Sequence, residues 1–112
     1  MSQLSKVLRD STDHGLMFNC PGCGIVHIVH YGDGDGPRWI WNGDIDKPTF
    51  TPSILLRYHT WIPPATRENM NVGPQTKINV VCHSLVINGQ IQFLNDCTHK
   101  LVGQTVDLPE WN

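Results

Sequence analysis

The residues able to do chemistry in this 112-residue chain fall in three places. Cys20-Pro21-Gly22-Cys23-Gly24 forms a knuckle followed by His27, Cys82-His83 lies far downstream, and Asp96-Cys97-Thr98-His99 completes the set. All four cysteines are used there. A Cys-x-x-Cys pair with two further cysteines suits tetrahedral zinc, which is satisfied by four thiolates or by three thiolates and one imidazole. The expected metal set is Cys20, Cys23, Cys82 and Cys97, with His27 or His99 as the alternative fourth ligand and Zn2+ as the cofactor. A redox dithiol is the competing reading. It would normally open a helix after a strand, whereas Gly24 and the run Ile25-Val26-His27-Ile28-Val29 indicate a turn between strands.

A second grouping follows from local structure. Asn79 to Val86 and Ile91 to Asn95 flank Ile87-Asn88-Gly89-Gln90, and a two-residue Asn-Gly turn predicts a β-hairpin. With Ile87 facing Gln90, Cys82 falls opposite Asn95, His83 opposite Leu94 and Val80 opposite Cys97. Alternation then puts Cys82, Cys97 and, if the strand continues, His99 on one face, with His83 and Asp96 on the other. An Asp that holds a His tautomer belongs to many acid–base sites, so His83, Asp96 and His99 are the candidate catalytic residues. An exposed Asp–His contact without function is the simpler reading. Ser84 lies on the cysteine face in this register, so no serine triad follows from it. The glutamate that most zinc hydrolases use as a base is also hard to supply, since the chain has only Glu68 and Glu110.

The elements that must position these groups are strands. Ten glycines, eight prolines and short β-branched runs between turn residues predict a mostly β fold. We expect a small antiparallel β domain, a zinc-ribbon-like knuckle plus a β-hairpin, with little helix beyond a turn near Leu4 to Arg9. Residues 1–14 read as a flexible N-terminal segment, and 15–112 as a single zinc-stabilised β domain with a long loop at 59–77. Thr49 to Tyr58 reads as one strand interrupted by Pro52, which marks an edge or a bulge. Trp39 and Trp41 share one face of their strand and read as packing.

Composition narrows the function classes. A hydrophobic content of 39% supports one modest core. The charged fraction is 16%, the net charge is −2, and no run of Lys or Arg offers a phosphate-binding stripe. No stretch has the apolar length of a membrane span, and the N-terminus carries charges where a signal peptide needs an apolar core, so a cytoplasmic protein is expected. Oligomeric state stays open.

Taken in order, Cys20-Pro21-Gly22-Cys23-Gly24 with His27, Trp39-Ile40-Trp41-Asn42-Gly43, Pro48-Thr49-Phe50-Thr51-Pro52-Ser53-Ile54, Cys82-His83-Ser84, and Asp96-Cys97-Thr98-His99 with Gly103-Gln104-Thr105-Val106-Asp107-Leu108-Pro109 form a joint pattern. This pattern resembles an uncharacterised family of short proteins found mainly in bacteriophages and prophages and often mislabelled ammonia monooxygenase. That enzyme uses copper and spanning helices, which this chain does not encode. The resemblance implies a phage accessory protein with a zinc-binding, β-rich domain acting inside the bacterial host. The leading expectation is therefore a phage-encoded zinc-binding module that binds a host macromolecule, most plausibly a host protein, in counter-defence or host takeover. The sequence leans away from an enzyme. The alternative is a small zinc-dependent hydrolase in which Cys20, Cys23 and one of Cys82 or Cys97 hold the metal while His83, Asp96 and His99 move protons.

Overall fold

A computed structural model describes residues 3–62 and 73–111. Among them the chain forms eight strands and no helix: β1 (Arg9–Ser11), β2 (Gly15–Asn19), β3 (Val26–His30), β4 (Ile40–Trp41), β5 (Phe50–Ile62), β6 (Thr76–Ile87), β7 (Gln90–Phe93) and β8 (Thr105–Asp107). They make two antiparallel sheets, one of order β1-β2-β3 and one of order β4-β5-β6-β7-β8. The expected small antiparallel β domain is thus the observed one.

Period-two alternation decides which side chains meet between the sheets. On β3, His27 and Val29 are buried while Val26 and Ile28 face out. On β6, Cys82, Ser84 and Val86 point inward, and on β7 Ile91 and Phe93 do. Phe18 of the first sheet stacks on Phe50 of the second with ring centroids 6.1 Å apart, at the centre of a core that also holds Leu8, Leu16, Val29 and Ile54. Ser84 is fully buried and its hydroxyl has no partner among the described residues. Such a group costs about 1–3 kcal/mol and is out of reach of any substrate.

The hairpin forms in the expected register, with Ile87 opposite Gln90 and Ser84 opposite Phe93. Asn88 and Gly89 both have positive φ, 51° and 77°, the signature of the type I′ turn that Asn-Gly favours. The ladder stops at Phe93. Beyond it the chain tightens into a turn closed by Cys97 N–H donating to Leu94 O at 3.2 Å, so strand alternation no longer governs where residues 94–99 point.

Two expected irregular regions carry structure. Residues 9–11 of the N-terminal segment form an edge strand, Leu8 is wholly buried, and Trp111 ties the ends together by donating its backbone N–H to Lys6 O and its indole N–H to Val7 O. The helical turn expected near Leu4 to Arg9 is replaced by a bend in which the Ser5 hydroxyl accepts from Leu8 N–H at 3.1 Å. Of the expected 59–77 loop, residues 59–62 and 76–77 belong to the paired ends of β5 and β6, and 63–72 lie outside the described residues.

Pairing between β5 and β6 is interrupted once. Phe50 faces Val86 and Ile54 faces Ser84, so Thr51, Pro52 and Ser53 stand against Leu85 alone. Proline cannot donate to a ladder, and a bulge at this point relieves that conflict. It also re-aims the residue that follows.

Candidate active site

His83 sits on β6 next to Cys82, and alternation turns it to the outer face of the sheet. Directly opposite on β5 is Leu55, so Ser53, two residues earlier on the same strand, falls diagonally across from His83 on that face. The bulge brings the two into contact, with Ser53 Oγ 3.0 Å from His83 Nε2. The other ring nitrogen, Nδ1, lies 3.0 Å and 3.2 Å from the two carboxylate oxygens of Asp96. Hydroxyl, imidazole and carboxylate therefore form one continuous chain. Because a carboxylate can only accept, Nδ1 carries the proton and Nε2 is left free to accept from the Ser53 hydroxyl. This is the geometry of a nucleophile, a base and the group that orients the base. The site lies at the surface, with the His83 side chain 25% exposed and Asp96 53% exposed.

Cys97 holds the backbone of His83. The His83 N–H donates to Cys97 Sγ at 3.2 Å and the thiol donates back to His83 O at 3.1 Å. Leu94 N–H also donates to His83 O, at 2.9 Å. The turn that supplies Asp96 is therefore fastened to the residue that Asp96 orients.

Behind this face lies the sulfur cluster. The ligand atoms of Cys20, Cys23, His27 and Cys82 all lie within 4.8 Å of one another, an arrangement that can hold a metal ion. The knuckle places the first two: Cys20 N–H donates to Ile25 O, Gly24 N–H donates to Cys20 O, and Gly24 takes the positive φ of 73° needed to close so tight a loop. Inward-facing positions on β3 and β6 supply His27 and Cys82. Cys23 Sγ is 3.1 Å from His27 Nε2, and Cys20 Sγ is 3.7 Å from Cys82 Sγ. Three thiols so close cannot all ionise alone. Hydrogen bonds from Cys20 and Cys82 pull the Cys23 thiol far below its ordinary range, while those shared with Cys20 and Cys23 push Cys82 far above it. Burial works against a charged His27, yet hydrogen bonds to Cys20 and Cys23 outweigh it and raise the imidazole to about 9. Tyr58, beside the cluster, is pushed up to about 12 by burial and then by the Cys23 charge. Clustered thiols that cannot all ionise by themselves, beside a buried imidazole, fit a divalent cation, which would stabilise all of the thiolates together.

The two remaining sequence candidates, Cys97 and His99, form a second group that shares Cys82 with this quartet. Cys97 groups with Cys82 and His99, and it is engaged with the His83 backbone. His99 Nδ1 accepts from Leu101 N–H at 3.3 Å, which leaves the proton on Nε2, 3.6 Å from Cys82 Sγ. In that tautomer His99 is a hydrogen-bond donor to the Cys82 sulfur. Its ring packs edge-on against Phe93 at 4.4 Å and lies where any side chain on Gly22 would be, so the knuckle requires glycine there. His99 makes no contact with the Ser53–His83–Asp96 chain. The residue that sequence reasoning missed is Ser53. It is thirty positions before His83, and the available signal was Pro52, a bulge marker followed immediately by a hydroxyl.

Among the described residues no helix is long and apolar enough to cross a membrane. No curated protein and no solved structure matches the chain. Residues 2–94 match the model of a family described as bacterial ubiquitination-like system serine protease (BubE), a span that includes Ser53, His83 and the Cys20, Cys23, His27, Cys82 quartet and stops just short of Asp96. This match overturns the expectation of a non-enzymatic phage module binding a host macromolecule, and it gives no support to the zinc-dependent hydrolase with His83, Asp96 and His99 as proton carriers. The physical reason for the error is that both readings were built around the metal and left β5, which carries Ser53, out of the site. A bacterial family takes the place of the phage and prophage one, and the chain belongs to the bacterial ubiquitination-like system serine protease (BubE) family.

Proposed function

We propose that this chain is a serine peptidase in which Ser53 is the nucleophile, His83 the general base and Asp96 the carboxylate that fixes the imidazole. The observation that carries the reading is the unbroken chain of contacts, 3.0 Å from Ser53 Oγ to His83 Nε2 and 3.0 Å from His83 Nδ1 to the nearer Asp96 oxygen. The family description supports the same activity and points to a component of a bacterial ubiquitination-like system as the substrate. Ser53 Oγ attacks the scissile carbonyl as His83 Nε2 takes its proton. Asp96 stabilises the imidazolium so formed, and His83 then returns the proton to the leaving group. Water, activated by the same imidazole, attacks the acyl-Ser53 ester and regenerates the hydroxyl. Order along the chain is no obstacle, because such triads are defined by geometry and roles.

The metal centre in this reading is structural. Cys20, Cys23, His27 and Cys82 would hold zinc with three thiolates and one imidazole, a closed set that cross-links the two sheets directly behind His83. His99, donating to Cys82, would stabilise the thiolate from outside the set.

A rhodamine-tagged fluorophosphonate tests the assignment. Labelling at Ser53, found by mass spectrometry and abolished in Ser53→Ala and His83→Ala but retained in Ser84→Ala, is the expected result. Labelling of another serine, or none on metal-loaded folded protein, would remove Ser53 from the role.

A further inference from the structure

A groove of about 330 Å³ begins at Ile54, the residue after Ser53, and is lined by Val26, His27 and Ile28 of β3, Ile54, Leu55 and Leu56 of β5, and Trp39. Its long walls are two sheet edges. β3 is paired along its length with β2 alone, and on its other side the described chain meets it where Trp39 N–H donates to His30 O at 2.9 Å. β5 pairs with β4 only through Phe50 and Thr51, so beyond Ser53 its outer backbone groups have no strand partner among the described residues. Trp39 closes one end of the groove and donates its indole N–H to Ser53 O at 3.4 Å. The side chains at the opening are apolar and exposed: Val26 by 41%, Ile28 by 47% and Leu55 by 47%. Unpaired edges are normally short, charged or covered, since each is a template for another strand. Here two of them face one slot that starts next to Ser53, and apart from His27 that slot is lined with apolar and aromatic side chains.

We propose that this groove takes the polypeptide substrate as an extended strand, its backbone pairing with the free edge of β5 and an apolar side chain next to the scissile bond packing on Leu55, Val26 and Ile28. The proposal rests on Ser53 being the nucleophile and adds the class of substrate: a flexible, extended segment with an apolar residue at a fixed place beside the cut. The spacing agrees. A strand rises about 3.3 Å per residue, so Leu55 lies about 7 Å along the edge from Ser53, the separation of alternate side chains on a bound strand. Strand addition draws affinity from main-chain hydrogen bonds and selectivity from the pockets that alternate side chains enter.

The test uses internally quenched peptides of about ten residues in which each position in turn is Leu, Phe, Ala, Lys or Asp, with turnover by the intact protein and binding to Ser53→Ala both measured. One position near the cut should favour Leu or Phe over Asp by about 10- to 100-fold, the range open to an apolar pocket. N-methylation of alternate backbone amides should lower kcat/KM at least about tenfold by removing edge hydrogen bonds. Leu55→Glu should switch the favoured residue to Lys, and Val26→Lys should switch it toward Asp; misfolding cannot produce a switch of either kind. Fluorophosphonate labelling reads the nucleophile separately. Labelling at Ser53 with a flat peptide profile overturns the groove and leaves the triad in place. Failure to label, with peptide binding that still depends on Leu55 and on alternate amides, overturns the triad and keeps the groove. If Leu55→Glu converts a dimer to a monomer in sedimentation without changing peptide preference, a second copy of the chain fills the groove and the proposal fails.

Discussion

Replacing Asp96 by Asn should slow acylation of Ser53 by at least about 30-fold and leave the fold intact. Asp96 reaches His83 Nδ1 with both oxygens, at 3.0 Å and 3.2 Å. The amide of Asn can accept from Nδ1–H or donate its own N–H to Nδ1, so the charge facing the imidazolium is lost, the productive tautomer is no longer enforced, and the charge by itself sets only the lower bound of the effect. Two unit charges about 4 Å apart attract by about 1 kcal/mol in water and by about 4 kcal/mol at the effective dielectric of a protein surface. With Asp96 half exposed, the loss should lie between these limits, at about 2–3 kcal/mol, and each 1.36 kcal/mol is tenfold in rate. The assay is the second-order rate of fluorophosphonate labelling at Ser53, measured beside Asp96→Ala, which removes the acceptor as well and should be slower still. A rate for Asp96→Asn within about threefold of the unaltered protein, with Ser53 still labelled, would refute the assignment of Asp96 as the orienting carboxylate.

Cys97→Val keeps the packing but leaves the His83 N–H and carbonyl without their sulfur partner; labelling should fall about tenfold and urea unfolding should show a loss of about 1–3 kcal/mol, whereas Cys97→Ser should retain most of both. Phe18→Ala removes half of the stacked pair that joins the sheets and should destabilise by about 3–5 kcal/mol in urea melts. Metal uptake should release protons, since thiols and a His27 held protonated up to about 9 must give them up to bind; a dye in weakly buffered solution would report this, and affinity should weaken as pH falls. Cys20→Ser should lower metal uptake, measured by mass spectrometry of the native protein after incubation with zinc, and reduce labelling of Ser53 even though no hydrogen bond joins Cys20 to Ser53, His83 or Asp96.

Much of this architecture was legible because it is local. Asn88-Gly89 fixes the hairpin through a backbone geometry that few other residue pairs adopt, and with it the pairing of Ser84 to Ile87 with Gln90 to Phe93; the contact of Asp96 with His83 was expected, but a turn and not strand alternation delivers it. The knuckle was legible for the same reason, since Cys20 and Cys23 are brought together by their own turn. Ser53 was not, because it reaches the site only through the long-range pairing of β5 with β6 and a bulge whose effect on side-chain direction cannot be read from spacing. The choice among Cys97, His27 and His99 was hidden by the end of the ladder at Phe93. Once the strand gives way to a turn, alternation stops assigning faces, and spacing gives no ranking of these three donors around Cys20, Cys23 and Cys82.

Adjacent positions on β6 face opposite ways, and that couples two tasks by parity. Cys82 looks inward to the sulfur cluster and His83 outward to Ser53. Sliding β6 by one residue would not displace these tasks slightly but exchange them, sending an imidazole into the cluster and a thiol to the surface. The strand can therefore lengthen or shorten between His83 and the Asn88 turn only in steps of two. Between Cys82 and His83 it has no freedom to change length at all, so the adjacency of these two residues matters as much as their identities.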